Sequence, residues 1–120
     1  IITLHIPFTP QTRGLISRRE FNIMKEGVHI VNTARGRIID QRALTDALKS
    51  GKVAGAALDV FEAEPLDPSD QLASMDNVIL TPHLSASSRE AMRRMALQVA
   101  QGVLDVMWGG VPMSPVVIQP

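Results

Sequence analysis

The 120-residue sequence contains no cysteine. That excludes disulfides, thiolate metal sites and a cysteine nucleophile, and it suits a reducing compartment. No excess of either charge is present: 12 Lys and Arg balance 12 Asp and Glu. A neutral chain offers no electrostatic reason to expect nucleic acid or an anionic membrane surface as its partner. Long apolar runs are missing as well. Stretches such as Val53–Leu58 (VAGAAL) fall far short of the roughly 20 residues that span a bilayer. No basic, then apolar, then small-residue leader opens the chain. Low-complexity sequence is also lacking, since the eight glycines and eight prolines are scattered. What is present is ordinary globular composition, with 45% hydrophobic and 20% charged residues. The expectation is a soluble, cytoplasmic-type domain with no metal site. There is no initiator Met, and IITLHIPF opens as a strand already under way; the chain is expected to be a fragment of a longer protein.

Helix and strand signals alternate along the sequence. Ile1, Ile2, Leu4 and Ile6 are β-prone, and Pro7 stops the ladder. Ser17–Glu20 has the form of a capping box; Phe21 and Met24 supply the following apolar face, and Gly27 is the expected C′ residue. Val28–Val31 predicts a buried strand, and Asp40 can cap a helix whose Ala43, Leu44, Ala47 and Leu48 keep the 3.6-residue period up to Gly51. Val53–Leu58 predicts a small-residue strand, Glu62 to Ser74 a Pro-rich acidic loop, and Asn77–Leu80 a short strand. Ser87–Glu90 forms a second capping box, followed by a long helix with Met92, Met95, Ala96, Val99, Val103 and Met107 on one face, closed by Gly109 and Gly110. Short apolar strands alternating with amphipathic helices predict an α/β fold with a parallel sheet covered on both sides.

In open α/β sheets, ligands bind beyond the carboxyl ends of the strands. The polar residues just after the predicted strands are His5; then Asn32, Thr33 and Arg35; then Asp59, Glu62 and Glu64; then His83, Ser85 and Ser87. Arg35 lies 29 residues before Glu64, and Glu64 lies 19 before His83, so only the fold can join them. A histidine donates or accepts a proton near neutral pH, and a carboxylate on its far nitrogen fixes the tautomer. An arginine fork binds a carboxylate or polarises a carbonyl. Such a trio suits protonation of a keto oxygen while another agent delivers hydride to carbon. Neither an HExxH metal motif nor a G-x-S-x-G nucleophile elbow is present.

The strings LHIPFTPQTRGLI, VNTARGRIID, LKSGKVAGAALDVFEAEP and LTPHLSASSREA, in that order, closely resemble the D-isomer-specific 2-hydroxyacid dehydrogenases. The HLSAS variant is more similar to D-3-phosphoglycerate dehydrogenases than to glyoxylate and hydroxypyruvate reductases, which are the alternatives. The resemblance implies the carboxyl-terminal half of a doubly wound Rossmann-type sheet over residues 1–108. It also implies an extended tail, 109–120, returning to a substrate domain outside this sequence. It makes Arg35 the substrate-orienting arginine, Glu64 the catalytic glutamate and His83 the acid/base. Asp59 becomes the partner of the nicotinamide carboxamide, and Ile6, Thr33, Ala34, Arg35, His83, Leu84, Ser85 and Ala86 become cofactor contacts. The implied cofactor is NAD, with NADP open because the glycine loop and ribose-reading acid are expected upstream of Ile1. The implied partner is a small 2-hydroxyacid or 2-ketoacid, and the longer protein is expected to be a homodimer with EC 1.1.1-type activity. A rival of the same fold is an NADH-responsive corepressor scaffold, disfavoured by Leu84–Ser87 where that group carries bulky aromatics. The sequence departs from the family pattern at Arg37 and Ser85, where glycine is usual.

Several residues carry plainer expectations. His5 is expected to position or pack, and His29 to be structural. Arg18, Arg19, Arg93 and Arg94 are expected on solvated helix faces, and Met92, Met95 and Met107 in a core. Glu62 competes with Glu64 on chemistry alone, and only the resemblance favours Glu64.

Overall fold

A computed structural model describes residues 1–116. The chain divides into two compact units, Ile1–Ser85 and Ala86–Pro120. The first contains β1 (Ile2–Leu4), α1 (Arg18–Ile23), β2 (Val28–Asn32), α2 (Gln41–Lys49), β3 (Val53–Leu58) and β4 (Val78–Leu80), with 3₁₀ turns at Gly36–Ile38 and Gln71–Ser74. The four strands form one parallel sheet in the order β1-β2-β3-β4. Leu4, Asn32, Leu58 and Leu80 are successive register partners, so all four strands end on one row. Whatever follows each strand emerges at the same edge.

Local chemistry accounts for the elements. At the start of α1 the Glu20 carboxylate accepts from both the backbone N–H and the hydroxyl of Ser17 (3.0 and 2.6 Å). Asp40 caps α2 by accepting from Ala43 N–H at 2.9 Å, and Gly51 follows the helix at φ 78°. Phe21, Ile38, Leu44 and Leu48 join Ile30, Ala56 and Leu58 in one core. This core lies on a single sheet face. The opposite row, Thr3, Val31, Ala57 and Ile79, is half-buried or exposed, and Ile79 is 68% accessible. Within the first unit taken by itself, α1 and α2 cover one face of the sheet.

Other expectations need correcting. β1 is only three residues long, because beyond Asn32 its partner strand bends into a turn and offers no further ladder. α1 ends at Ile23 with Met24 as its C-cap, so Gly27 (φ 71°) is not its C′ residue but shapes the entry to β2, where its N–H donates to Lys52 O. The 62–74 loop contains a 3₁₀ turn capped by Asp70 that buries Leu72. The second unit is built on α3 (Arg89–Met107), whose N-cap is Ser88 rather than Ser87: its hydroxyl accepts from Ala91 N–H at 3.1 Å. No residue of α3 is buried, and Met92, Met95 and Met107 are exposed. Among the described residues this unit holds no second helix or strand to cover that face, so the expected methionine core is not formed within it. Residues 110–116 have no helix or strand, and the rest of the expected 109–120 tail lies outside the described residues. Among the described residues no helix is long and apolar enough to cross a membrane.

Candidate active site

The common strand edge gathers residues that are remote in sequence. After β1 the chain passes through His5, Ile6, Pro7 and Phe8; after β2 it turns through Thr33, Ala34 and Arg35. Ile6, Pro7, Phe8, Thr33, Ala34 and Arg35 line an open cleft of about 670 Å³. His5 is exposed, with Nε2 2.8 Å from Thr3 Oγ1, so it does not pack in the core. Arg35 is exposed, and its guanidinium donates to its neighbour's carbonyl, Ala34 O, at 2.6 Å.

The β2 and β3 turns are pressed together by a glycine. A Cβ on Gly36 would stand 2.0 Å from the carbonyl carbon and oxygen of Phe61. Only glycine permits that approach, and it brings the segment carrying Glu64 against the turn carrying Arg35. Glu64 Oε1 accepts from Phe61 N–H at 3.0 Å, and its Oε2 lies 2.8 Å from His83 Nδ1. Of the two competing carboxylates, Glu62 instead faces α2. Its Oε1 accepts from Gln41 N–H, while Gln41 Oε1 accepts from Glu62 N–H. Arg37, one of the departures, donates from Nε to Glu62 O at 3.2 Å. The hydrogen bond from His83 lowers the Glu64 pKa; the Phe61 N–H and, more weakly, the Arg35 charge reinforce it. Phe61, Glu64, Pro65, Leu66, Pro82 and His83 border a second cleft of about 460 Å³, whose walls are largely apolar.

His83 stands at φ 56°, a left-handed conformation that non-glycine residues rarely adopt. The surrounding bonds hold it there. Asp59, 4% accessible, accepts at Oδ1 from Thr81 Oγ1 (2.5 Å) and Leu84 N–H (2.8 Å), and at Oδ2 from Ser85 N–H (2.8 Å). Burial opposes ionisation of this carboxyl, but the bonds from Thr81, Leu84 and Ser85 outweigh it and hold its pKa far below the usual carboxylate range. Asp59 thus turns three acceptor sites toward the His83 loop. Ala86 opens the second unit.

The edge thus presents a carboxylate–histidine pair, a nearby exposed guanidinium bonded to Ala34 O and a cleft with an apolar wall from Ile6, Pro7 and Phe8 beside Thr33. That donor set fits a flat ring with a polar rim. Gly36, which admits Phe61, escaped the sequence reading; Asn32, named there only among the polar residues after the second strand, is a buried polar side chain at the end of an apolar strand. The alternation of β2 puts Asn32 on the core face, and an amide in a leucine's place was the available signal. Among the described residues no group of three or more His, Asp or Glu could hold a metal ion.

Residues 1–85, the whole of the first unit, match the family described as D-isomer specific 2-hydroxyacid dehydrogenase, NAD binding domain. The chain is 48% identical over 109 residues to a D-3-phosphoglycerate dehydrogenase of Archaeoglobus fulgidus, covering 91% of this chain and 21% of that protein. It is 45% identical over 112 residues to a glyoxylate reductase of Thermofilum pendens, covering 93% and 33%. A crystal structure of a D-isomer specific 2-hydroxyacid dehydrogenase from Xanthobacter autotrophicus, in complex with NADPH and MES, superposes with a TM-score of 0.84 at 37% identity, covering 96% of this chain and 47% of that one. The chain therefore spans a fifth to a third of the curated relatives it matches. With four ordered motifs, the parallel sheet and the family match over 1–85 in agreement, the chain belongs to the D-isomer-specific 2-hydroxyacid dehydrogenases.

Proposed function

We propose that this chain is the catalytic half of a nucleotide-binding domain in an NAD-dependent enzyme that interconverts a D-2-hydroxyacid and its 2-ketoacid. The observation that carries this reading is the 2.8 Å His83–Glu64 pair at the strand edge, beside a guanidinium with no carboxylate partner among the described residues. A bound nicotinamide supplies the hydride. Arg35 swings from Ala34 O to hold the substrate carboxylate and carbonyl oxygen, which presents the reacting carbon to the cofactor. In reduction His83 protonates the developing alkoxide, and in oxidation it removes the hydroxyl proton. Glu64 keeps the proton on Nδ1 and so leaves Nε2 for chemistry. Ile6, Thr33 and Ala34 would line the nicotinamide, with Leu84 and Ser85 contributing from the His83 loop and Asp59 offering any remaining acceptor site to the carboxamide.

On this reading residues 1–108 belong to the nucleotide-binding domain and 109–120 lead back toward a substrate domain. The protein would be a cytoplasmic homodimer. NAD is the preferred cofactor, and NADP is the comparison to run. The test is steady-state oxidation of NADH by the full-length protein with a panel of 2-ketoacids, in which 3-phosphohydroxypyruvate, hydroxypyruvate and glyoxylate are the first substrates. Turnover should fall about 10²-fold or more in His83→Ala. Cofactor binding with no turnover on any ketoacid would favour a scaffold instead.

A further inference from the structure

Asn32 is the last residue of β2 and is 1% accessible. Its register partners are Leu4 and Leu58, and Leu80 continues the row, all apolar. A buried amide costs free energy that leucine would not, unless its polar atoms are paired. They are paired within its own turn. Nδ2 donates to Arg35 O at 3.0 Å, and Oδ1 accepts from Ala34 N–H at 3.0 Å. Its backbone carbonyl accepts from Asp59 N–H at 3.0 Å, which fastens the turn to the end of β3. The amide therefore supplies one donor and one acceptor to a backbone that has run past its neighbouring strands. The result is a fixed point of departure for an exposed arginine.

We propose that Asn32 is a positioning residue for Arg35, an amide clamp that sets where the guanidinium can reach a 2-ketoacid carboxylate. The proposal rests on the reading of Arg35 given above. Leucine in its place would keep the core and lose the clamp; aspartate would keep the acceptor for Ala34 N–H but set an oxygen against Arg35 O.

The test is a double-mutant cycle in the full-length protein with NADH present, reading the affinity for oxalate as a 2-ketoacid mimic by calorimetry. Asn32→Ala should weaken oxalate about tenfold or more, and the same substitution in an Arg35→Ala background should have no further effect. Asn32→Asp, a near-isosteric change, serves where the alanine variant folds poorly, and should show the same dependence on Arg35. Hydrogen exchange should quicken at Ala34 N–H while the sheet amides of Ile30 and Ala56 stay protected. Thr45→Val, a buried change on α2 remote from the strand edge, should leave oxalate affinity unchanged. An Asn32 effect of equal size with and without Arg35, or no effect, overturns the proposal alone. Wild-type protein indifferent to oxalate, or affinity unmoved by Arg35→Ala, overturns the Arg35 reading and this proposal with it.

Discussion

His83 combines a left-handed backbone with a side chain committed to Glu64, so its position depends on partners rather than on its own preference. The Glu64 pKa lies below its ordinary 4.5 because the charged form accepts from His83 and Phe61 N–H. A depressed carboxylate pKa means stabilisation that is fully present above pH 4.5 and lost as pH falls through the lowered folded-state value. Carbon NMR of the Glu64 carboxyl should therefore titrate below 4.5, and His83→Ala should move the midpoint back up toward it. A midpoint unmoved by that substitution would remove the pair as its cause. Asp59 should matter to stability as well as to any ligand. Removing a buried carboxylate that accepts three hydrogen bonds leaves Leu84 N–H and Ser85 N–H without partners. Asp59→Ala should cost about 3 kcal/mol in denaturant unfolding. An effect within experimental error would show that the loop holds His83 unaided.

At the scale of elements, the site depends on two strand-end turns meeting at Gly36. A methyl group there overlaps Phe61 backbone, which cannot rotate away as a flexible side chain could. Gly36→Ala should lower stability by about 2 kcal/mol and shift the NMR signals of Glu64 and His83, although neither residue is altered. Unchanged signals would show that the Phe61 segment is free to retreat. Asp40 gives a contrasting case. As the α2 N-cap it should cost about 1 kcal/mol on change to Ala, with the His83 and Glu64 signals unmoved. Capping was legible in the sequence at Ser17 and Asp40, because a cap is a contact over three residues. It slipped by one at Ser87–Ser88, where two adjacent serines offer the same chemistry and only backbone geometry selects between them.

At the scale of the whole molecule, each unit taken by itself leaves apolar residues exposed. One sheet face presents Val31, Ala57 and Ile79, and α3 presents Met92, Met95 and Met107 without a buried residue. The 120 residues also contain no G-x-G-x-x-G loop for a pyrophosphate. Expressed alone, residues 1–120 should bind NADH poorly in fluorescence titration and associate with rising concentration in light scattering. Ile79→Lys should reduce that association. A well-behaved monomer that binds NADH tightly would show that these surfaces need no cover.

The sequence by itself determined the strands, the helices, their alternation and the set of polar residues that follow each strand. Those features rest on periodicity, caps and breakers that act within a few residues. The resemblance in four motifs then singled out Arg35, Glu64 and His83 from that set. Only the tertiary structure decided that Glu64 rather than Glu62 meets His83, that Asp59 turns its oxygens to the His83 loop, and that Asn32 and Gly36 shape the turns between. Each depends on where parallel strands end relative to one another. The Leu4–Asn32–Leu58–Leu80 register sets that geometry across the sheet, and no local pattern records it.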